Sequence, residues 1–194
     1  MPDTATLHSQ SQPISVEYFD VLIVGAGISG IGAAYHLTTQ CPDKRFVVLE
    51  NEETFGGTWW THKYPGIRSD SDLHTFGYRF KPWRGAPIAT AEEILRYMGE
   101  VIAENDLARH IRYRHHISHA SWDSQTKLWT LEVLDKTTGL PRRFTGKFLY
   151  SARAITATVR AICRNGRIWR PIRAGWCIVK NGPKGWNMPI SAFW

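Results

Sequence analysis

From Ser151 to Trp194 this chain carries no Asp or Glu at all, against eight Lys and Arg. Residues 1–150 hold all 17 acids and 16 of the bases, so the formal net charge of +7 belongs to the tail alone. That distribution excludes a basic nucleic-acid-binding face as a property of the whole chain, and no specific nucleic acid is expected as a partner. Cysteine is scarce: Cys41, Cys163 and Cys177 fall in no paired spacing. A disulfide framework is thereby excluded and a reducing compartment, the cytoplasm, is expected. No apolar run approaches the roughly 20 residues that span a membrane, so no transmembrane segment is expected. Residues 1–17 are polar and lack the basic start and apolar core of a secretory signal; they read as a disordered leader.

What the chain does have is concentrated near its start. The apolar run Val21–Val24 ends in Gly25, Gly27 and Gly30, with Ile28 and Ser29 between them, and a helix-permitting segment follows from Ile31. Strand, glycine turn and helix together turn a weak glycine pattern into a dinucleotide site. Gly25 allows the tight turn, Gly27 lets the backbone approach a pyrophosphate, and Gly30 lets helix and strand pack closely. The helix N-terminus offers unpaired N–H groups and a positive dipole end to the phosphates. Twenty residues after Gly30, a second apolar run, Phe46–Leu49, ends in Glu50 and Asn51. A carboxylate there accepts hydrogen bonds from an adenosine ribose and disfavours a 2′-phosphate.

The order of elements predicts an α/β fold built on a βαβ unit and a parallel sheet. Strands are expected at Tyr18–Val24 and Phe46–Glu50 and a helix over about Ser29–Thr39. Phe55-Gly-Gly-Thr-Trp-Trp60 and Tyr64-Pro-Gly-Ile-Arg-Ser-Asp70 have no clear period and read as loops of the kind that carry sites. Pro-Gly is equally an ordinary turn, and the tryptophans equally a lid on the core. Thr90-Ala-Glu-Glu93 is a capping box, followed by a helix with its apolar stripe at Ile94, Tyr97, Met98, Val101 and Ile102. Strands are expected at Ile111–Ile117, Ala120–Asp123, Leu128–Leu134 and Phe144–Tyr150. His110, His115, His116 and His119 lie in strand-like sequence without a metal motif, so no metal is expected.

Taken in order, Gly25-x-Gly27-x-x-Gly30, Glu50, Gly56-Gly57-Thr58-Trp59, Tyr64-Pro65-Gly66-x-Arg68-x-Asp70 and Phe80-Lys-Pro-Trp83 resemble the flavin monooxygenases of the Baeyer–Villiger type, most closely their ethionamide-activating branch. The resemblance covers about residues 18–150. It implies a Rossmann-like FAD-binding domain with a small antiparallel β insertion. It also implies FAD and NADPH as cofactors, with dioxygen and a small molecule as substrates. In that chemistry NADPH reduces FAD, the reduced ring takes up dioxygen, and the peroxyflavin attacks a ketone or a soft heteroatom. By resemblance Gly25, Gly27, Ile28, Ser29 and Gly30 cradle the pyrophosphate, Glu50 and Asn51 meet the ribose, and the chain near Ile117 passes the adenine. Gly57, Thr58, Trp59 and Tyr64 border the flavin, and Arg68 and Asp70 lie over or beside its ring. Asp70 would support a catalytic arginine from a later domain; that arginine and the second glycine fingerprint for NADPH have no counterpart in this sequence.

Residues 151–194 form an aberrant basic tail with four of the nine tryptophans and no helical or strand period. An RNA- or partner-binding tail on a free-standing flavin or NAD domain is one reading. A shifted reading frame fits better. Back-translated and read one base earlier, residues 181–189 permit Trp-Pro-Glu-Gly-Leu-Glu-Tyr-Ala, with the second Glu and the Ala forced. Residues 161–167 permit Gly-Tyr-Leu-Pro-Glu-Trp-Pro, and 151–156 permit Cys-Ser-Gly-Tyr-Tyr. These strings, in this order, resemble what the family carries after its first domain. The sequence therefore predicts an incomplete FAD-binding domain at 18–150, inactive alone, followed by a tail that does not fold as a domain.

Overall fold

The computed structural model describes residues 14–153 together with two short strand segments, Ile178–Val179 and Asn187–Pro189. The expectations for residues 1–13 and for the rest of the tail lie outside the described residues.

Strand β1 (Ser15–Val24) leads through the glycine turn into helix α1 (Ile28–Gln40) and back to β2 (Phe46–Leu49). β1 and β2 pair in parallel, Val21 with Phe46 through Val24 with Leu49. All four β2 side chains are buried, as an unbroken apolar run requires when a parallel strand is covered on both faces. Phe46 and Val48 point into one core and Val47 and Leu49 into the other. Two single-turn helices, α2 (Thr58–Thr61) and α3 (Leu73–Phe76), precede α4 (Ala91–Glu104). The capping box forms as expected: the Thr90 hydroxyl accepts from the Glu93 N–H while the Glu93 carboxylate accepts from the Thr90 N–H. The apolar stripe of α4 packs with α1 over one face of the sheet.

The rest is β: β3 (Ile111–Arg112), β4 (His115–Asp123), β5 (Leu128–Asp135) and β6 (Leu140–Ser151). The sheet runs β3-β2-β1-β6-β5-β4, continued by Asn187–Pro189 (β8) on β4, while Ile178–Val179 (β7) pairs with β6. β3, β2, β1 and β6 are parallel; β6, β5 and β4 form an antiparallel meander. Ile117, Trp122, Trp129, Leu131, Val133 and Phe144 of the meander bury the face of β1 and β2 opposite the helices. The domain is thus a sheet with helices on one side and its own meander curled onto the other.

The antiparallel insertion forms as expected and is continuous with the parallel sheet, because β6 pairs with β1 along Arg142–Ser151 and with β5 along Leu140–Gly146. Gly146 marks the close crossing: a Cβ there would sit 2.8 Å from Leu22 Cγ and 3.0 Å from the Phe19 carbonyl oxygen. β1 begins at Ser15 rather than Tyr18, since Ser15–Glu17 pair with Arg142–Phe144 and the Glu17 carboxylate takes two hydrogen bonds from Arg112, at 2.6 and 2.7 Å. The expected strand Ile111–Ile117 breaks at Arg114, whose φ of 59° turns the chain from β2's edge into the meander. Conversely, the expected break after Ile117 is a bulge inside β4. Among the described residues no helix is long and apolar enough to cross a membrane.

Candidate nucleotide-binding site

The glycine turn is held on three sides. Gly25, at φ 99°, donates its N–H to the Leu49 carbonyl at 2.8 Å. The next peptide is clamped: the Ala26 N–H donates to Glu50 Oε2 at 2.6 Å and the Ala26 carbonyl accepts from the Gly56 N–H at 3.0 Å. A Cβ on Gly30 would lie 1.9 Å from the Gly25 carbonyl oxygen, so only glycine allows α1 to start this close to the strand end. Helix α1 begins at N-cap Gly27 without a side-chain cap and with no acid in its first turn. Its leading N–H groups lack intrahelical partners, and the positive end of its dipole meets no local carboxylate from the helix itself.

Glu50 is 7% exposed and accepts from two backbone donors, Ala26 through Oε2 and Glu52 through Oε1 at 2.9 Å. Each oxygen retains a second lone-pair direction, so the carboxylate can serve the turn and still accept a ligand hydroxyl. Around it, His116 Nδ1 lies 2.9 Å from Asn51 Oδ1, and Lys136 donates to the Asn51 carbonyl at 3.0 Å. Burial, with help from Lys136 and Arg153, lowers the His116 pKa and favours the neutral ring. Partial burial likewise lowers the Arg153 pKa, and the charge of Glu50 opposes this. The chain after β6 reaches this corner because the Ala152 N–H donates to the Val24 carbonyl at 2.9 Å.

Gly56 and Gly57, at φ 127° and 54°, bring the next segment against the turn: a Cβ on Gly57 would stand 3.1 Å from the Gly27 Cα. Thr58 and Trp59 open α2 directly behind them, and the Trp59 indole stacks on Phe76 at 6.5 Å. The structure therefore assembles Gly25, Gly27, Ile28, Ser29, Gly30, Glu50, Asn51, Gly57, Thr58 and Trp59 around one turn. Tyr64, Arg68 and Asp70 lie further along an exposed segment. Arg68 Nε donates to its own turn at the Gly66 carbonyl, Asp70 accepts from Ser71, and no hydrogen bond or ion pair joins Arg68 to Asp70. Ile117 is 6% exposed and buried in the meander core, so its side chain is a packing residue.

Sequence reasoning missed several supports. Buried Ser69 accepts from the Ala89 N–H and donates its own N–H to the Ala89 carbonyl, tying the Arg68–Asp70 segment to the start of α4. The Tyr78 hydroxyl donates to the Ile28 carbonyl at 2.7 Å, bracing the first turn of α1, and burial raises its pKa. Asp72 caps α3 by accepting from the His74 N–H. Only the last carried a local signal, an Asp directly before an apolar residue.

A family model for an NAD(P)-binding Rossmann-like domain matches residues 23–84, the span that holds the glycine turn, Glu50 and the Gly-Gly-Thr-Trp segment. A probable FAD-binding monooxygenase AlmA from an Acinetobacter species is 51% identical over 117 residues, 60% of this chain and 24% of that relative. The FAD-containing monooxygenase EthA of Mycolicibacterium smegmatis is 48% identical over 134 residues, 69% of this chain and 27% of the relative. The described body is homologous to the N-terminal part of FAD-containing monooxygenases. Solved structures agree on this flavin-monooxygenase lineage. A steroid monooxygenase bound to NADP superposes with a TM-score of 0.62 at 30% identity, covering 70% of this chain and 26% of that one. A closed cyclohexanone monooxygenase does so with a TM-score of 0.62 at 26% identity, covering 71% and 26%. The chain spans about a quarter of the length of these monooxygenases.

Proposed function

We propose that residues 18–150 hold the adenylate half of FAD and form the FAD-binding N-terminal part of an NADPH-dependent flavin monooxygenase acting on ketones or soft heteroatoms. The observation that carries this reading is the buried Glu50 carboxylate, fastened to the glycine turn through the Ala26 N–H at the uncapped start of α1. The fit is consistent at each point. The missing Cβ at Gly27 and Gly30 leaves the backbone approachable, the first turn of α1 offers N–H donors to a pyrophosphate, and Glu50 has lone pairs for ribose hydroxyls. Gly57, Thr58 and Trp59 border the ring end of such a ligand, and Trp59 is braced from behind by Phe76. Bound FAD supplies the electron and oxygen chemistry; these residues bind, orient and keep water away from it. Arg68 and Asp70 act only once further chain brings a partner to them, and no second glycine fingerprint for NADPH occurs in the sequence. NADPH oxidation is therefore not expected of this chain alone. Residues 151–194 are read as out of frame on the codon argument.

The test is a visible spectrum of the purified chain after incubation with FAD and desalting. A flavin band retained by the wild type and lost on Glu50→Ala supports the reading, and a colourless wild type overturns it. Sequencing the gene across the codons for Tyr150 and Ser151 decides the frame.

A further inference from the structure

An open cleft lies away from the glycine turn. It has a volume of about 560 Å³ and runs between the segment Phe80–Gly85 and the outer face of α4. That size falls within the range of small-molecule sites, roughly 300–1,000 Å³. Its aromatic wall is fixed in place. The Tyr97 hydroxyl takes the Tyr78 N–H at 2.8 Å and donates to the Lys81 carbonyl at 2.5 Å. Trp83 stands edge-on to Tyr97 at 5.4 Å and donates its indole N–H to the Ala86 carbonyl at 2.8 Å. Phe80 is stacked between Tyr35 and Tyr78. These rings are preorganised, so a ligand would not have to order them.

The charges of the cleft divide into satisfied and unsatisfied. Lys81 is shared between Glu100 and Glu104, at 3.2 and 2.7 Å. The Glu93 carboxylate is engaged in the α4 capping box. Arg84 and Arg96, both exposed along the cleft, make no ion pair or side-chain hydrogen bond with the described residues. Two guanidinium groups outside ion-pair distance of any described carboxylate, Arg96 feeling the Glu93 charge only at longer range, beside a Trp83 ring fixed on buried Tyr97 select a particular chemistry: a flat apolar body carrying one carboxylate. We propose that this cleft binds a small aryl carboxylate, its ring against Trp83 and its carboxylate paired with Arg84 and Arg96. The inference is independent of FAD.

Isothermal titration of the full-length chain with 2-naphthoate tests it, with Arg84→Gln, Arg96→Gln and the double variant alongside and with acetate and 2-naphthylmethanol as partial ligands. Both arginines are surface residues, and far-UV circular dichroism checks that the variants remain folded. Saturable 1:1 binding of naphthoate is expected, weakened about fivefold by each substitution and more than about tenfold by both, as partly exposed charge pairs allow. Acetate and naphthylmethanol should each bind at least about tenfold more weakly than naphthoate. No saturable binding, or binding that survives in the double variant, overturns the proposal. Equal binding of naphthylmethanol would mean an apolar surface only, and equal binding of acetate an anion site without a ring; either overturns it too.

Discussion

Glu50→Gln is the sharpest perturbation available, because it changes one atom and the structure fixes what that atom does. The carboxylate accepts from Ala26 at 2.6 Å and from Glu52 at 2.9 Å, one oxygen each. Glutamine has one carbonyl oxygen and one NH2, so whichever way it turns, one backbone N–H faces another donor. A charge-assisted hydrogen bond is lost and a buried donor is left unpaired, together worth about 2–4 kcal/mol. For a body of this size that corresponds to a Tm lower by about 5–12 °C. Thermal unfolding followed by far-UV circular dichroism measures it without cofactor. Glu53→Gln is the control, since Glu53 is exposed and its 3.6 Å pair with Arg114 is worth under about 1 kcal/mol. With FAD present the same variant should bind at least about tenfold more weakly, a charged acceptor having left the ribose. A Glu50→Gln protein that melts within about 1 °C of wild type refutes the clamp. One that melts early but binds FAD normally refutes the ribose role alone.

Gly30→Ala should be severe, about 3 kcal/mol or more in urea unfolding, because its Cβ would meet the Gly25 carbonyl oxygen at 1.9 Å and both partners are backbone. Gly66→Ala has open space around it and a φ of 75°, so only backbone strain of about 1–2 kcal/mol is expected in the same assay. Thr90→Ala removes the cap of α4 and should lower the urea midpoint by about 1 kcal/mol equivalent. Asp135 is pulled to a pKa of about 2: burial pushes it up, but the N–H groups of Thr137 and Thr138 and the Arg142 guanidinium outweigh burial. Glu17 is also lowered, chiefly by its hydrogen bonds to Arg112. Both groups bind protons less readily folded than unfolded, so their stabilisation is present above the ordinary carboxylate pKa and fades as pH falls from about 4 toward 2. Unfolding midpoints between pH 6 and 2 should drop along that window, and Asp135→Asn should flatten the fall.

The parts of the fold that are legible in the sequence are those whose cause lies within one turn or one strand. The β1–glycine–α1 unit is written in three glycines and the apolar run before them, and the end of β2 in the acid after Leu49. The capping box at Thr90 and Glu93 is equally local, because both partners sit within four residues. Boundaries fail where the cause is remote. Ser15–Glu17 look like polar leader, yet Glu17 is drawn into β1 by Arg112, 95 residues away in sequence. The left-handed backbone at Arg114 ends β3 where the residue pattern continues as strand, because the Glu50 and Glu52 carbonyls take the N–H groups of His115 and Arg114 and turn the chain there.

The same distinction governs the site. Gly57 meets Gly27 and Gly56 meets Ala26 because two turns with positive φ face each other, and glycine at both is a readable mark of close approach. The brace from Tyr78 to Ile28 has no such mark: the tyrosine's neighbours in sequence are aromatic and polar in no period, and its partner is a backbone carbonyl. Arg68 and Asp70 show the converse. Their motif is the most specific in the chain by resemblance, yet within these residues each bonds only to its own turn. The glycine turn is built from backbone that a βαβ unit positions unaided, so its geometry is already formed within these residues. Arg68 and Asp70 have no such local frame: both are exposed, and the role proposed for them needs charges from beyond these residues, in relatives of which this chain matches about a quarter.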